Sequence, residues 1–202
     1  MKNIPLISVV IPTYNRAEEI KIAINSVVSQ TFLDWEIIII DNFSSDNTRS
    51  VIEGFKDDRM KFFRFQNGGN IAKSRNVGIN YAKGEFIAFL DSDDFWYENK
   101  LEVAVSYLLK GKDYFFSPMK VKHLSGRALF RKKKFGKKIN ENTSFYKYLL
   151  LEGNIISTSS MVVKKKILQE LNGFNTYEGL IAGEDYDLWI RISSLSNNFY
   201  SF

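Results

Sequence analysis

Residues 84–94 read G-E-F-I-A-F-L-D-S-D-D, an apolar run that opens after a glycine and ends in a cluster of acids. Apolar on both of its alternating faces, Glu85 to Leu90 reads as a strand covered on two sides, the habit of parallel sheets. Side chains in extended backbone alternate with period two, so Asp91 and Asp93 can face the same way. Carboxylates packed this closely repel one another, and a divalent ion such as Mg²⁺ or Mn²⁺, itself bridging substrate phosphates, relieves that repulsion. Taken alone, a D-S-D-D run is also an ordinary turn or helix-cap cluster. Its position directly after a buried strand favours the metal-diphosphate reading.

Outward from that stretch the chain alternates short apolar runs with amphipathic segments. Leu6–Ile11 reads as a strand, then Ala17–Gln30 as a helix with Ile20, Ile24, Val27 and Val28 on one stripe. Glu36–Ile40 is a second strand, Ser44 to Asp46 supply N-cap chemistry for a helix ending near Phe55, and Met60–Phe65 is a third strand. Asn70–Ala82 is a helix closed by Gly84. This βαβαβαβ order predicts an α/β fold, a mostly parallel sheet with helices on both faces. After Asp94 the expected elements are a helix Glu98–Leu109 burying Leu101, Val105, Leu108 and Leu109, and short strands Tyr114–Phe116, Met119–Leu124 and Ala128–Phe130, the last two a hairpin through Ser125-Gly126. A helix capped by Thr143 or Ser144 runs through Leu151. A strand Ile155–Val163, a helix Lys164–Leu171 and a final helix Glu184–Ser194 follow, the last with Leu188, Trp189, Ile192 and Leu195 toward the core. No repeat or linker interrupts the chain, so a single domain is expected.

Composition removes several classes. With 202 residues, 45% apolar and 25% charged, the chain is an ordinary globular one rather than disordered or fibrous. There is no cysteine and one histidine, His123, which excludes disulfide frameworks, thiolate zinc sites, cysteine nucleophiles and any centre needing two imidazoles. No apolar stretch approaches the ~20 residues that span a bilayer, and a soluble or membrane-surface protein is expected. Neither G-x-G-x-x-G after the first strand nor G-x-x-x-x-G-K-[ST] occurs, so neither a dinucleotide dehydrogenase nor a P-loop enzyme fits.

Ligands of an open parallel sheet bind beyond the carboxyl ends of its strands. After strand one come Pro12, Thr13, Tyr14, Asn15 and Arg16; after strand two Asp41 and Asn42; after strand four Asp91, Ser92, Asp93 and Asp94. Acids and amides therefore line one edge. Asp41 is either a turn acid or a group accepting from a nucleoside. Glu184 and Asp185 open a helix, where acids commonly complement its dipole. If that helix opens onto the metal site, Asp185 could instead take a proton from an acceptor hydroxyl.

Four stretches together resemble glycosyltransferase family 2, inverting nucleotide-sugar transferases with the GT-A fold: S-V-V-I-P-T-Y-N-R at 8–16, S-R-N-V-G at 74–78, G-E-F-I-A-F-L-D-S-D-D at 84–94 and G-E-D-Y-D-L-W-I-R at 183–191. The resemblance implies one GT-A domain, residues 1–97 its nucleotide-sugar half and 98–202 a smaller acceptor half. It implies that Pro12 to Arg16 and Asp41 cradle the base, that Arg75 reaches base or phosphates, that Asp91 and Ser92 lie near the ribose and that Asp93 holds Mn²⁺ or Mg²⁺. Asp185 would be the catalytic base, with Glu184 positioning the acceptor or capping the helix. Trp96 and Trp189 could floor a sugar site, yet large aromatics near helix starts are more often core; Gly173-Phe174 matches a family turn near the acceptor pocket and is otherwise simply a helix stop. Where the family often has a second Asp and then Gly-Ser after the base-binding Asp, this chain has Asn42-Phe43-Ser44. Family members usually continue past the last helix, which leaves a C-terminal truncation open.

The implied donor is a UDP-sugar and the acceptor a glycan or a lipid-linked hydroxyl, with cytoplasmic placement peripheral to the inner face of the membrane. The net charge is +5, and Lys120 to Lys138 concentrates it, with Phe130 and Phe135 interleaved. That segment is either a solvated basic hairpin or a contact with anionic lipid. Nucleic acid is the weaker partner, since the sheet edge gathers acids. A catalytically silent nucleotide-sugar-binding module and a sugar nucleotidyltransferase are the alternatives. The latter needs a Gly-rich loop after strand one, which Thr13-Tyr14-Asn15-Arg16 lacks.

Overall fold

Strands β1 (Ile7–Thr13), β2 (Trp35–Asp41), β3 (Met60–Arg64) and β4 (Phe86–Phe89) lie parallel in the order β3-β2-β1-β4 in a computed structural model that describes residues 4–118, 139 and 143–201. Helices α1 (Ala17–Val28), α2 (Thr48–Glu53) and α3 (Ile71–Tyr81) make the crossovers. The second half adds α4 (Lys100–Leu108), β5 (Tyr114–Phe116), α5 (Phe145–Glu152), β6 (Met161–Lys164), α6 (Lys165–Glu170), α7 (Glu184–Leu195) and β7 (Phe199–Ser201). All seven strands share one sheet, order β3-β2-β1-β4-β6-β5-β7, in which β6 alone runs against its neighbours. The predicted α/β class with a mostly parallel sheet and helices on both faces is what forms.

The two faces separate by residue parity, as period-two side chains require. Val9, Ile11, Ile37 and Ile39 point to one side, where α1 contributes Ile20, Ile24 and Val27 and α4 contributes Leu101, Val105 and Leu108. Val10, Ile38, Ile40 and Phe89 point to the other, covered by Ile79 of α3, Phe145 and Leu149 of α5 and Leu188, Trp189 and Ile192 of α7. The glycine of S-R-N-V-G has a packing reason. A Cβ at Gly78 would lie 2.3 Å from Val10 Cγ1, so only a hydrogen lets α3 approach β1 this closely.

Several expectations need correction. Val28, Leu109 and Leu195 were assigned to apolar stripes but are 37%, 66% and 46% exposed. Each sits at the C-terminal end of its helix; Val28 and Leu109 are one helical step round from the buried Val27 and Leu108 and so face solvent. The strand expected over Ile155–Val163 is shorter. Thr158–Ser160 forms a 3₁₀ turn with Ser160 N–H and Oγ both donating to Ser157 O, at 2.9 and 2.7 Å, and pairing starts only at Met161. Hydroxyl side chains that bond to nearby backbone compete with a ladder, and residues 157–160 are all Ser or Thr. Strand β7 was not expected; it pairs parallel to β5, Tyr114 opposite Phe199. The expected strands Met119–Leu124 and Ala128–Phe130, His123 and the basic segment lie outside the described residues.

Candidate active site

Parallel pairing brings the ends of β1 and β2 together, Thr13 opposite Asp41, while β4 flanks β1 on its other side. Beyond these ends lies a cleft of ≈ 370 Å³. Its walls include Pro12, Thr13, Tyr14 and Arg16 from the β1 loop and Asp91, Ser92 and Asp93 from the β4 loop. The β1 and β2 loops are held to one another by backbone and side-chain bonds. Asn42 N–H donates to Thr13 O at 2.9 Å, Asn15 N–H to Ser44 Oγ at 2.9 Å, and Asn15 Oδ1 accepts from Ser45 N–H at 2.8 Å. Asn15 itself has φ 50°, a left-handed conformation that asparagine tolerates.

Asp41 is not on the cleft wall. It is fully buried at the end of β2, accepting from Ser44 N–H at 3.1 Å and from the Ser44 hydroxyl, with Arg64 Nε 3.4 Å away. Thr13 Oγ1, by contrast, is buried without a hydrogen-bond partner among the described residues, on a residue that lines the cleft, so a ligand group there would satisfy it. Four further lining residues, Asn42, Asn67, Gly69 and Ile71, come from the β2 and β3 ends. Asn42 Oδ1 accepts from Asn67 N–H at 2.9 Å, and Asn67 in turn bonds Ser74 Oγ at 2.9 Å and accepts from Gly69 N–H at 2.8 Å. Their signal in the sequence is Q-N-G-G-N at 66–70, turn residues after the third strand.

Arg75 links the cleft to α7. From the middle of α3 its Nη2 donates to Asp91 Oδ1 and its Nη1 to Glu184 Oε1, each at 2.8 Å, and the residue is 3% exposed. Burial alone would lower the guanidinium, but Asp91 and then Glu184 outweigh it and hold its pKa above the ordinary value. Arg75 thus neutralises one carboxylate on the cleft and one beside Asp185. Its Nε and Glu184 Oε2 remain buried and unpartnered among the described residues. Glu184 pairs with Arg75, and the N–H of Gly183, the N-cap of α7, donates to Leu180 O at 2.8 Å.

Asp185 stands in the first turn of α7, beyond that bridge and off the cleft wall. Its Oδ1 accepts from Tyr186 N–H at 2.6 Å and Asn154 Nδ2 at 3.3 Å, its Oδ2 from Thr158 Oγ1 at 3.2 Å. Burial raises its pKa, the nearby Glu184 adding to the rise while the Tyr186 amide, Asn154 and Arg75 oppose it. Asp94 is likewise raised by burial and by Asp91 and Asp93, against a hydrogen bond from Ser159. Asp93 is exposed, lines the cleft and has no bonded donor among the described residues. Trp96, Phe174 and Trp189 are 4%, 2% and 1% exposed and belong to the core. Trp96 Nε1 donates to Ser159 O at 2.7 Å, and the Phe174 ring meets Phe89 edge-on at 5.2 Å. Gly173, at φ 68°, lies against Asn76.

Comparison with known proteins adds to this geometry. The model of the family described as "Glycosyl transferase family 2" matches residues 8–171. The UDP-Glc:alpha-D-GlcNAc-diphosphoundecaprenol beta-1,3-glucosyltransferase WfgD of Escherichia coli is 34% identical over 193 residues, covering 95% of this chain and 71% of its own. The GalNAc(5)-diNAcBac-PP-undecaprenol beta-1,3-glucosyltransferase of Campylobacter jejuni is 32% identical, covering 93% of this chain and 60% of its own. In three dimensions Staphylococcus aureus TarS bound to UDP-GlcNAc superposes with TM-score 0.76 at 25% identity, over 97% of this chain and 55% of that one. A Pyrobaculum calidifontis mannosyltransferase solved with GDP-Man and Mn²⁺ shares the fold, TM-score 0.72 at 20% identity, over 100% of this chain and 55% of that one. The chain thus spans little more than half the length of these solved relatives.

Proposed function

The chain belongs to glycosyltransferase family 2, and from that premise we propose that it moves a sugar from a UDP-sugar to a hydroxyl of a glycan or lipid-linked acceptor, with inversion, in polysaccharide or glycoconjugate synthesis. One arrangement supports this above the others: a cleft at the carboxyl ends of β1, β2 and β4, lined by Thr13, Asp91 and Asp93 and joined through Arg75 to the helix that carries Asp185. WfgD is named for UDP-Glc and an undecaprenol-linked acceptor, and TarS was solved with UDP-GlcNAc. Residues 1–97 form the donor half in this reading and 98–202 the acceptor half.

The donor set fits a hard divalent cation. Among the described residues no three acids or histidines cluster as a protein-only cage, and Mg²⁺ typically takes one or two carboxylates and completes its shell with substrate phosphates and water. Asp93 would hold Mn²⁺ or Mg²⁺, with Asp91 toward the ribose, and the bound ion would neutralise charge on the departing diphosphate. Thr13 and the neighbouring loop residues bind and orient the nucleotide. Asp185 accepts the proton of the acceptor hydroxyl as that oxygen bonds to the anomeric carbon. The bond to the diphosphate breaks on the opposite face, so the configuration inverts. A carboxylate raised by burial suits this work, because a base acts best with its pKa nearer the operating pH.

Ligands that bind the native state raise its melting temperature. UDP-sugars with Mn²⁺ are expected to do so more than GDP- or dTDP-sugars, and a screen in which none shifts the melt would overturn the donor reading. Asp185→Asn should keep UDP-sugar affinity while turnover falls ~10²–10⁴-fold, the range for a lost general base; turnover equal to wild type would remove Asp185 from this role. Among the described residues no helix is long and apolar enough to cross a membrane. Contact with the inner face of the membrane is accordingly assigned to the basic residues of 120–138.

A further inference from the structure

The 3₁₀ turn Thr158–Ser160 lies between the acidic loop after β4 and the start of α7. We propose that this turn is a positioning element that fixes the Asp91–Asp94 loop and Asp185 relative to each other, with Ser159 holding the first and Thr158 the second.

The placement follows from the sheet. Antiparallel pairing sets Ala88 opposite Val162, so the same register carried onward puts Ser160 beside Leu90 and Ser159 beside Asp91. The backbone ladder stops before that point, and the Ser159 side chain takes its place. Ser159 Oγ accepts from Asp91 N–H at 2.9 Å. This hydroxyl therefore holds the start of the loop that carries Asp93. One residue earlier, Thr158 Oγ1 donates to Asp185 Oδ2 at 3.2 Å.

The turn itself is held from its other side. Trp96 Nε1 donates to Ser159 O at 2.7 Å and Lys100 Nζ to Ser160 O at 2.8 Å. Thr158, Ser159 and Ser160 are 5%, 0% and 1% exposed. A turn that served only the fold would keep its hydroxyls to itself. Ser160 does this, bonding Ser157 O at 2.7 Å, whereas the Thr158 hydroxyl donates to the Asp185 carboxylate and the Ser159 hydroxyl accepts from the backbone N–H of Asp91. Donor-side and acceptor-side groups so share one buried three-residue mount, and the spacing that in-line displacement needs is set there. The inference rests on the reading of Asp185 as the base, and its test is independent of turnover.

Thr158→Val removes the hydroxyl and keeps the shape; Thr158→Ser restores it. The Asp185 carboxyl is followed by ¹³C NMR titration, its signal assigned by its absence in Asp185→Asn. The charged groups acting on it, Glu184 and Arg75, are unchanged in these variants, and among the described residues the 3₁₀ turn and the segment after α5 bond it through the neutral Thr158 and Asn154. Loss of a hydrogen bond to the ionised form should move the midpoint up by about half a unit or more in Thr158→Val and return it in Thr158→Ser. In the same variants UDP affinity, measured by calorimetry with Mn²⁺, should stay within about twofold. Ser159→Ala should weaken UDP about tenfold, the effect of one well-placed hydrogen bond. An unmoved Asp185 midpoint in Thr158→Val, or wild-type UDP affinity in a folded Ser159→Ala, overturns the proposal. If Ser159→Ala fails to fold, the Thr158 pair still decides it. Wild-type protein that binds no UDP would count against the donor reading alone, and the Asp185 titration would still test the mount.

Discussion

Two buried cations face each other's problem from opposite ends. Arg75 has two carboxylates at 2.8 Å and stays charged; among the described residues Lys100 has none. Its Nζ meets only the Ser160 carbonyl at 2.8 Å and the rings of Trp96 and Phe115, each at 5.2 Å. Burial therefore lowers the Lys100 ammonium from 10.5 to about 7. Between those values the unfolded chain holds the proton and the folded one releases it, so stability rises with pH across that window, with a slope of at most ~1.4 kcal/mol per unit. Lys100→Met, which keeps the apolar stem, lacks this dependence. Urea unfolding at successive pH values from 6 to 9 should show wild type gaining on Lys100→Met as pH rises. A difference independent of pH would mean that Lys100 is not the buried, uncompensated cation described. The sequence places a lysine at the start of α4, an ordinary solvated position. That its ammonium is enclosed depends on β5 and the 3₁₀ turn, which arrive from elsewhere in the chain.

At the level of elements, α3 lies on β1 through Gly78. Replacing a mid-helix glycine by alanine ordinarily stabilises a helix by about 1 kcal/mol. Here the added methyl would meet Val10 Cγ1 at 2.3 Å in a fully buried site, and overpacking of that kind costs about 1–3 kcal/mol. Gly78→Ala should therefore destabilise the protein, and Val10→Ala in the same chain should recover part of the loss. Denaturant melts of the two singles and the double measure this coupling, and simple additivity would refute the contact. The same elements show what the sequence discloses and what it withholds. Runs such as Glu36–Ile40 announce a covered strand from their own residues, and β1 to β4 lie within two residues of their expected ends. Strand β7 has only Phe199 to Ser201 and is a strand because β5 offers it an edge. Asn67 has the same character. Nothing local distinguishes it from any turn asparagine, and it joins the cleft because β3 ends beside β2 and Asn42 reaches it. Arg75 was legible as a site residue, but its partners Asp91 and Glu184 lie 16 and 109 positions away and only the closed sheet brings them together.

Over the whole molecule, charge is divided unequally along the chain. Nine of the 28 basic residues and none of the 23 acidic ones fall within 120–138, leaving 19 basic against 23 acidic residues everywhere else. Without that segment the protein is an anion, so the basic pI of ≈ 9.2 is a property of one stretch of sequence. Juxtamembrane basic residues contribute about 1 kcal/mol each on an anionic surface and lose it as salt shortens the Debye length from ~10 Å at 0.1 M to ~3 Å at 1 M. Binding to phosphatidylcholine vesicles should accordingly require added phosphatidylglycerol and should vanish at high salt. Replacing Arg131, Lys132, Lys133 and Lys134 by glutamine should abolish it at low salt as well, while UDP affinity and the melting temperature stay unchanged. Vesicle binding that survives the four substitutions would move the contact to the exposed apolar residues Leu150 and Leu151 at the end of α5, which are 52% and 84% exposed. Such binding would persist at high salt, since burial of apolar surface is not screened, so one flotation experiment at two salt concentrations separates the two origins.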